Sequence, residues 1–178
     1  GTKEFVAWLP TLLGLGATDV VASPAIAYPT YEVGALIAGC QTAPVGSQAA
    51  LTWLNTPANP TGEVLTVEEL RDVVRFARET GSLVVSDECY IELGWDEQPV
   101  SILHPAVSGG DHTGLLALHS LSKRSNLAGY RFGFVAGDPA VVARLLEVRK
   151  HAGMMVPLPV QAAAVAAWSD DEHVRVQR

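Results

Sequence analysis

Residues 51–87 read LTWLNTPANPTGEVLTVEELRDVVRFARETGSLVVSD, and this stretch decides the fold. Its two ends, Leu51–Asn55 and Leu83–Asp87, are short apolar runs bounded by polar turn residues, which predict strands. Between them, Val67–Glu79 has the apolar spacing of an amphipathic helix. A strand, a helix and a second strand in this order are typical of a parallel sheet covered by helices.

The helix in this unit has recognisable start and stop signals. Thr66 precedes it as an N-cap, and Glu69 three residues later completes a capping box. Gly81 follows as the C-terminal cap, because glycine accepts the left-handed backbone that ends many helices.

The alternation of strand and helix continues on both sides of this unit. Apolar residues make up 48% of the chain, which suits a sheet buried on both faces. We therefore predict an α/β fold with a mostly parallel sheet and helices on both faces. The further strands are predicted at Val20–Ala22, Leu115–Ser120 and Phe132–Ala136, and the further helices at Thr2–Leu13, Thr30–Ala38, Pro139–Lys150 and Pro159–Trp168.

Composition excludes several classes of function. The net charge of −7, without a cluster of Lys or Arg, argues against nucleic acid and anionic membranes as partners. Cys40 and Cys89 form no CxxC pair, so we expect a reduced, cytoplasmic protein and no metal site. The longest apolar stretch, Phe5–Leu15, is too short to span a bilayer and lacks the basic flank of a signal peptide.

Three polar clusters follow three of the predicted strands. They are Asn55–Gly62, Asp87–Tyr90 and Ser120–Lys123. Because ligands of open α/β sheets bind at the carboxyl ends of the strands, these clusters predict one shared site.

Lys123 lies in LLALHSLSKRSNLAGYRFG, residues 115–133. A single lysine is usually a solvated surface charge. Here Ser120 and Ser122 flank an amine nucleophile, and Arg131 follows eight residues later, which favours a nucleophile beside an anion-binding group.

The remaining candidates each have a structural alternative. Asp87 suits a turn or helix cap, but also a partner for a protonated ring nitrogen, and Tyr90 could be a core aromatic or contact the same ligand. Asn59 lies in NPTG, which is first of all a turn, and Tyr28 could be simple packing. Gly1-Thr2 opens a helix, whose free N–H groups suit an anion.

Taken together, SLSK with Arg131, the strand ending in Asp87 with Tyr90 after it, and NPTG resemble the fold-type-I aminotransferases of classes I and II. The resemblance implies pyridoxal 5′-phosphate (PLP) as the cofactor. Lys123 would bind it covalently and move the reacting proton, and Asp87 would pair with the pyridinium nitrogen. Asn59 and Tyr90 would bond its phenolic oxygen, and Tyr28 would stack on the ring. The phosphate would be held by Gly1, Thr2, Ser120, Ser122 and Arg131.

Four stretches are similar to actinobacterial N-succinyldiaminopimelate aminotransferases: GTKEFVAWLPTLLGLG, SDECYIELGWDEQPVSILHP, GDHTGLLALHSLSK and RKHAGMMVPLPVQAA. This likeness implies transfer of an amino group between glutamate and a succinylated keto acid, in diaminopimelate and lysine biosynthesis. Two alternatives within the fold stay open, an aspartate or aromatic aminotransferase and a C–S β-lyase, because they share the cofactor residues. A truncated, non-catalytic chain is the alternative of a different class.

The family pattern also implies what surrounds this chain. Residues 1–150 would form a PLP-binding large domain that lacks its N-terminal part, and residues 151–178 a helical segment leading into a small domain. That small domain would supply the arginine for the substrate carboxylate, so we expect these 178 residues alone to be inactive. The resemblance further implies amino-acid and 2-oxo-acid substrates and a homodimer.

Overall fold

The computed structural model describes residues 1–178, and its centre is a single six-stranded sheet. The strands are β1 (Val20–Ser23), β2 (Gln41–Pro44), β3 (Leu51–Asn55), β4 (Leu83–Asp87), β5 (Leu115–Ser120) and β6 (Gly133–Gly137). Their order across the sheet is β2-β1-β3-β4-β5-β6. Every neighbouring pair is parallel except β5 and β6, so the mostly parallel sheet predicted from the sequence is confirmed.

Helices cover both faces of this sheet, as predicted. They are α1 (Thr2–Leu12), α2 (Thr30–Ala38), α3 (Val67–Thr80), α4 (Pro105–Ser108), α5 (Leu121–Arg124), α6 (Pro139–His151), α7 (Leu158–Trp168) and α8 (Glu172–Gln177). Side chains of α1, α2 and α6 build the core on one face, and those of α3 and α4 build it on the other. No helix combines the length and the apolar character needed to cross a membrane.

The signals at the ends of α3 act as the sequence indicates. Thr66 Oγ1 accepts from the Glu69 N–H at 3.2 Å, and the Glu69 carboxylate accepts from the Thr66 N–H at 2.8 Å. Gly81 then ends the helix with φ of 74°. The next strand, β4, pairs with β3 residue for residue, from Leu51 opposite Leu83 to Asn55 opposite Asp87.

Two strands differ from the sequence prediction. β2 was not predicted, because QTAP has no apolar run and lies largely exposed at the edge of the sheet. β6 begins one residue later than expected, at Gly133, and runs antiparallel to β5. The chain therefore returns through the connection Leu121–Phe132 without a crossover helix, which leaves that connection at the end of the sheet where β5 stops.

Candidate active site

Side chains at the carboxyl ends of β3, β4 and β5 surround one cavity of about 280 Å³. The strand ends are level, since Asn55 lies opposite Asp87 and Asp87 lies opposite Leu118. Gly1 does not line this cavity but lies in a neighbouring one, to which Arg131 also contributes. The other residues proposed from the sequence all line it, namely Thr2, Tyr28, Asn59, Asp87, Tyr90, Ser120, Ser122, Lys123 and Arg131.

Asp87 is a buried carboxylate at the inner end of the cavity, with 7% of the residue exposed. Its Oδ2 accepts from the Tyr31 hydroxyl at 2.8 Å, and its Oδ1 accepts from the Cys89 N–H at 3.2 Å. Burial raises the pKa of Asp87, and the hydrogen bonds from Cys89 and Tyr31 oppose that rise. No cationic side chain of the chain pairs with it, so the carboxylate is suited to a cationic group of a ligand.

The turn interpretation of Asp87 is correct for one of its two oxygens. The Oδ1 bond to the N–H two residues later is the turn that a single Asp at a strand end would make. The Oδ2 bond to Tyr31 is different, because it joins two residues far apart in the sequence. Tyr31 is fully buried and stacks on Trp53, with ring centroids 4.9 Å apart.

Asn55 holds the turn that carries Asn59, although within the polar cluster Asn55–Gly62 the sequence predicts a role for Asn59 only. Its Nδ2 donates to the carbonyl of Asp87 at 2.9 Å and to that of Pro57 at 3.1 Å. Its Oδ1 accepts from the Asn59 N–H at 2.7 Å. The buried side-chain amide of Asn55 thus fixes the turn to the end of β4. Asn55 is the last residue of a buried strand and is polar, and this position could have indicated its role from the sequence.

Lys123 lies on α5, a single helical turn that begins directly after β5. Ser120 is the N-cap of this turn, and its Oγ accepts from the Ser122 N–H at 3.1 Å. The Lys123 ammonium is 5.7 Å from the centroid of the Tyr90 ring. The lysine is exposed to the cavity, so its amine is accessible to a ligand.

Another group of residues around the cavity has the features of an anion site. The first N–H groups of α1 have no partner within the helix, and Gly1 caps it without a side chain. Arg131 has a left-handed backbone, with φ of 53°, and its guanidinium lies against Gly1. A Cβ on Gly1 would stand 2.8 Å from Arg131 Nη2, so a larger residue would displace the guanidinium. Ser120 and Ser122 line the same cavity.

Lys3, Cys89 and Tyr31 are further polar residues at the site to which the sequence assigns no role. Lys3 and Cys89 line the cavity, and the Lys3 ammonium lies 5.5 Å from the Tyr28 ring centroid. Tyr31 contacts the site through its hydrogen bond to Asp87 and through a T-shaped contact with the Tyr28 ring, with ring centroids 5.7 Å apart. The sequence gives little indication of this role, because a tyrosine in the first turn of an apolar helix is typical of a core residue.

The cavity therefore matches PLP in three respects. Asp87 is suited to a cationic ring nitrogen, the edge formed by α1, Arg131 and the serines is suited to a phosphate, and Lys123 offers an amine between them.

Comparison with known proteins agrees with this geometry. All 178 residues match the family described as aminotransferase class I and II. The chain is 64% identical to a probable aminotransferase of Mycobacterium tuberculosis, over 100% of the chain and 44% of that protein. It is 59% identical to the 4-dedimethylamino-4-oxo-anhydrotetracycline transaminase OxyQ of Streptomyces rimosus, over 100% of the chain and 52% of that protein. The chain thus spans about half the length of these relatives.

Solved structures show the same fold. An aminotransferase of Neisseria meningitidis superposes with a TM-score of 0.87 at 32% identity, over 100% of this chain and 51% of that one. A probable N-succinyldiaminopimelate aminotransferase of Thermus thermophilus superposes with a TM-score of 0.82 at 28% identity, over 98% of this chain and 51% of that one. From the family match, the relatives and the shared architecture, we conclude that the chain belongs to the class I and II aminotransferases, a family that depends on PLP.

Proposed function

We propose that the complete protein is a PLP-dependent aminotransferase and that the cavity at the ends of β3, β4 and β5 holds its cofactor. The observation that carries this proposal is the position of Asp87, a buried carboxylate without a cationic partner, in the same cavity as the amine of Lys123. A buried anion is costly unless a cation joins it, and a protonated pyridine nitrogen would be that cation.

Each side chain then has a proposed role that follows from its place. Bound PLP supplies a ring that accepts the electron pair released when the substrate Cα–H bond breaks. Asp87 would keep the ring nitrogen protonated, and Lys123 would hold the cofactor covalently and carry the proton from Cα. Tyr28 would stack on the ring, while Asn59 and Tyr90 would hydrogen-bond its phenolic oxygen.

The phosphate would lie at the N-terminus of α1. The free N–H groups there, the Arg131 guanidinium and the hydroxyls of Ser120 and Ser122 would bind it. Held at the phosphate and at the ring nitrogen, the cofactor would present its reactive carbon to Lys123 in one orientation.

For the substrate, we propose N-succinyl-L,L-diaminopimelate with 2-oxoglutarate as the amino acceptor. The support is the likeness of four stretches to actinobacterial enzymes of that activity, together with the fold shared with the Thermus thermophilus protein. The relative from Streptomyces rimosus, by its name, acts on a tetracycline intermediate, so that polycyclic ketone is the competing substrate class. We further propose that the complete protein is a cytoplasmic homodimer, which gel filtration and cell fractionation would test.

Borohydride reduction of the full-length protein with PLP tests the cofactor site. Peptide mapping should find the label on Lys123 and on no other lysine. Label on a different lysine would contradict the proposed site.

A substrate panel tests the reaction. Glutamate-dependent exchange should be fastest with the succinylated diamine. A higher kcat/KM for aspartate, phenylalanine or the tetracycline intermediate would contradict the proposed substrate, and pyruvate with ammonia from a cysteine conjugate would indicate a lyase.

A further inference from the structure

Arg124 follows Lys123 in the chain, yet its side chain lies outside the cavity and is buried behind it. Only 4% of the residue is exposed, and it does not line the cavity. Its Nε donates to the carboxylate of Glu92 at 2.8 Å. Glu92 belongs to the 3₁₀ turn Ile91–Leu93, which begins immediately after Tyr90.

The same guanidinium also contacts the junction between α7 and α8. Nη1 donates to the carbonyl of Ala167 at 2.7 Å, and Nη2 donates to the carboxylate of Asp171. The guanidinium carbon lies 5.9 Å from the centroid of the Trp168 ring. Three segments that are distant in the sequence therefore meet at one buried cation.

Neighbouring bonds hold the same region together. The Gln177 side chain donates to the carbonyl of Arg124 at 2.9 Å, and the His173 ring lies 2.9 Å from the Ser125 hydroxyl. The two residues that follow Lys123 are thus both bonded to α8. Within the site, the Lys123 ammonium lies 5.7 Å from the Tyr90 ring, so the two turns that Arg124 joins carry side chains that face each other.

We propose that Arg124 is a positioning residue, which fixes the turn carrying Lys123 against the turn carrying Tyr90 and against the α7–α8 junction. It does not touch the ligand. A lysine at this place would keep the charge but could not supply a planar set of donors in three directions. The consequence for catalysis rests on the proposed function, whereas the consequence for the two turns does not.

Hydrogen–deuterium exchange of the full-length apoprotein tests the structural part of this proposal. Arg124→Lys should raise exchange about tenfold or more in residues 91–93 and 121–125, with little change in β3 and α3. Arg175→Lys is the matched control, because Arg175 pairs with Glu172 on the surface of the neighbouring helix and has no bond to the two turns. That control should leave exchange in both turns unchanged.

Kinetics of the PLP-loaded enzyme test the catalytic part. Arg124→Lys should lower kcat by about ten- to a hundredfold, because a small displacement of the lysine turn misaligns the amine, while KM for the amino donor changes far less. The pH midpoint of the cofactor's visible absorbance should also shift, since Lys123 would move relative to Tyr90. If Arg124→Lys fails to fold, Glu92→Gln weakens the same link from the other side and should give smaller changes of the same kind.

The proposal would be overturned if hydrogen–deuterium exchange in Arg124→Lys stayed at the wild-type rate in both turns, or if it rose equally throughout the protein. So would an unchanged kcat together with an unchanged absorbance midpoint. If Lys123 does not bind PLP at all, the proposed function fails, but the exchange experiment still decides whether Arg124 holds the two turns.

Discussion

The Tyr31→Phe substitution would remove one oxygen atom from the interior of the site. That hydroxyl donates to Asp87 Oδ2 at 2.8 Å, and the Cys89 N–H donates to Oδ1 at 3.2 Å. The ring of residue 31 would remain stacked on Trp53, 4.9 Å away, so packing changes little. The substitution therefore tests the hydrogen bond itself.

The magnitude follows from the burial of Asp87. A hydrogen bond to an ionised group contributes about 1.5–3 kcal/mol, and a buried acceptor that loses its donor bears most of that cost. We expect the free energy of unfolding to fall by about 2 kcal/mol at a pH where Asp87 is ionised. Because the bond favours the anion, its loss raises the pKa of Asp87 further. As the pH falls through that pKa the difference should shrink to about 1 kcal/mol, the value for a neutral pair.

Urea unfolding of the full-length apoprotein, measured near neutral pH and again in acid, would show both effects. Tyr28→Phe is the control for stability, because Tyr28 lines the cavity and makes no hydrogen bond to Asp87. A loss below about 0.5 kcal/mol at neutral pH, or a loss that does not vary with pH, would refute the argument for a buried, ionised Asp87.

Three further predictions concern single side chains. Asp87→Asn should lower kcat by about a hundredfold or more, since the ring nitrogen would lose its anionic partner; near-normal turnover would reduce Asp87 to a turn residue. Burial raises the pKa of Glu88 from 4.5 to about 7, so its ionisation should destabilise the fold as the pH rises through that range, by on the order of 3 kcal/mol in total. Glu88→Gln should abolish that slope in pH-dependent unfolding, and a slope that persists in the variant would show that Glu88 is not its source. Thr66→Ala should lower the free energy of unfolding by about 1 kcal/mol through loss of the capping box, with an unchanged dependence on denaturant concentration. If the free energy of unfolding did not change measurably, Glu69 alone would cap α3.

The fold was predictable where local signals are strong. The unit from Leu51 to Asp87 has an apolar strand, a capped amphipathic helix and a second strand, and the structure reproduces all three within a residue. The edge strand Gln41–Pro44 was missed for a physical reason. An exposed edge needs backbone partners on one side only, so its side chains carry no apolar pattern.

The candidate site was predictable only in part, and how each residue acts decides whether the sequence indicates it. Lys123 and Asp87 stand at strand ends, where chain order alone indicates a ligand site. Tyr31 and Asn55 act through other residues, by hydrogen bonds between positions that only folding brings together. Nothing in the local sequence distinguishes such a tyrosine from an ordinary core residue.

The antiparallel direction of β6 has a consequence for protein engineering. Because β5 and β6 are neighbours in the sheet, the short connection between them, Leu121–Phe132, carries both the amine of Lys123 and the guanidinium of Arg131. Gly133 follows this connection as the first residue of β6, and a Cβ at this position would lie 2.6 Å from the carbonyl oxygen of His119 and collide with it. Chimaeras made from related proteins should therefore exchange the connection Leu121–Phe132 together with Gly133 as one unit. The crossover points should lie inside β5 and β6, where the backbone hydrogen bonds between the two strands keep their register.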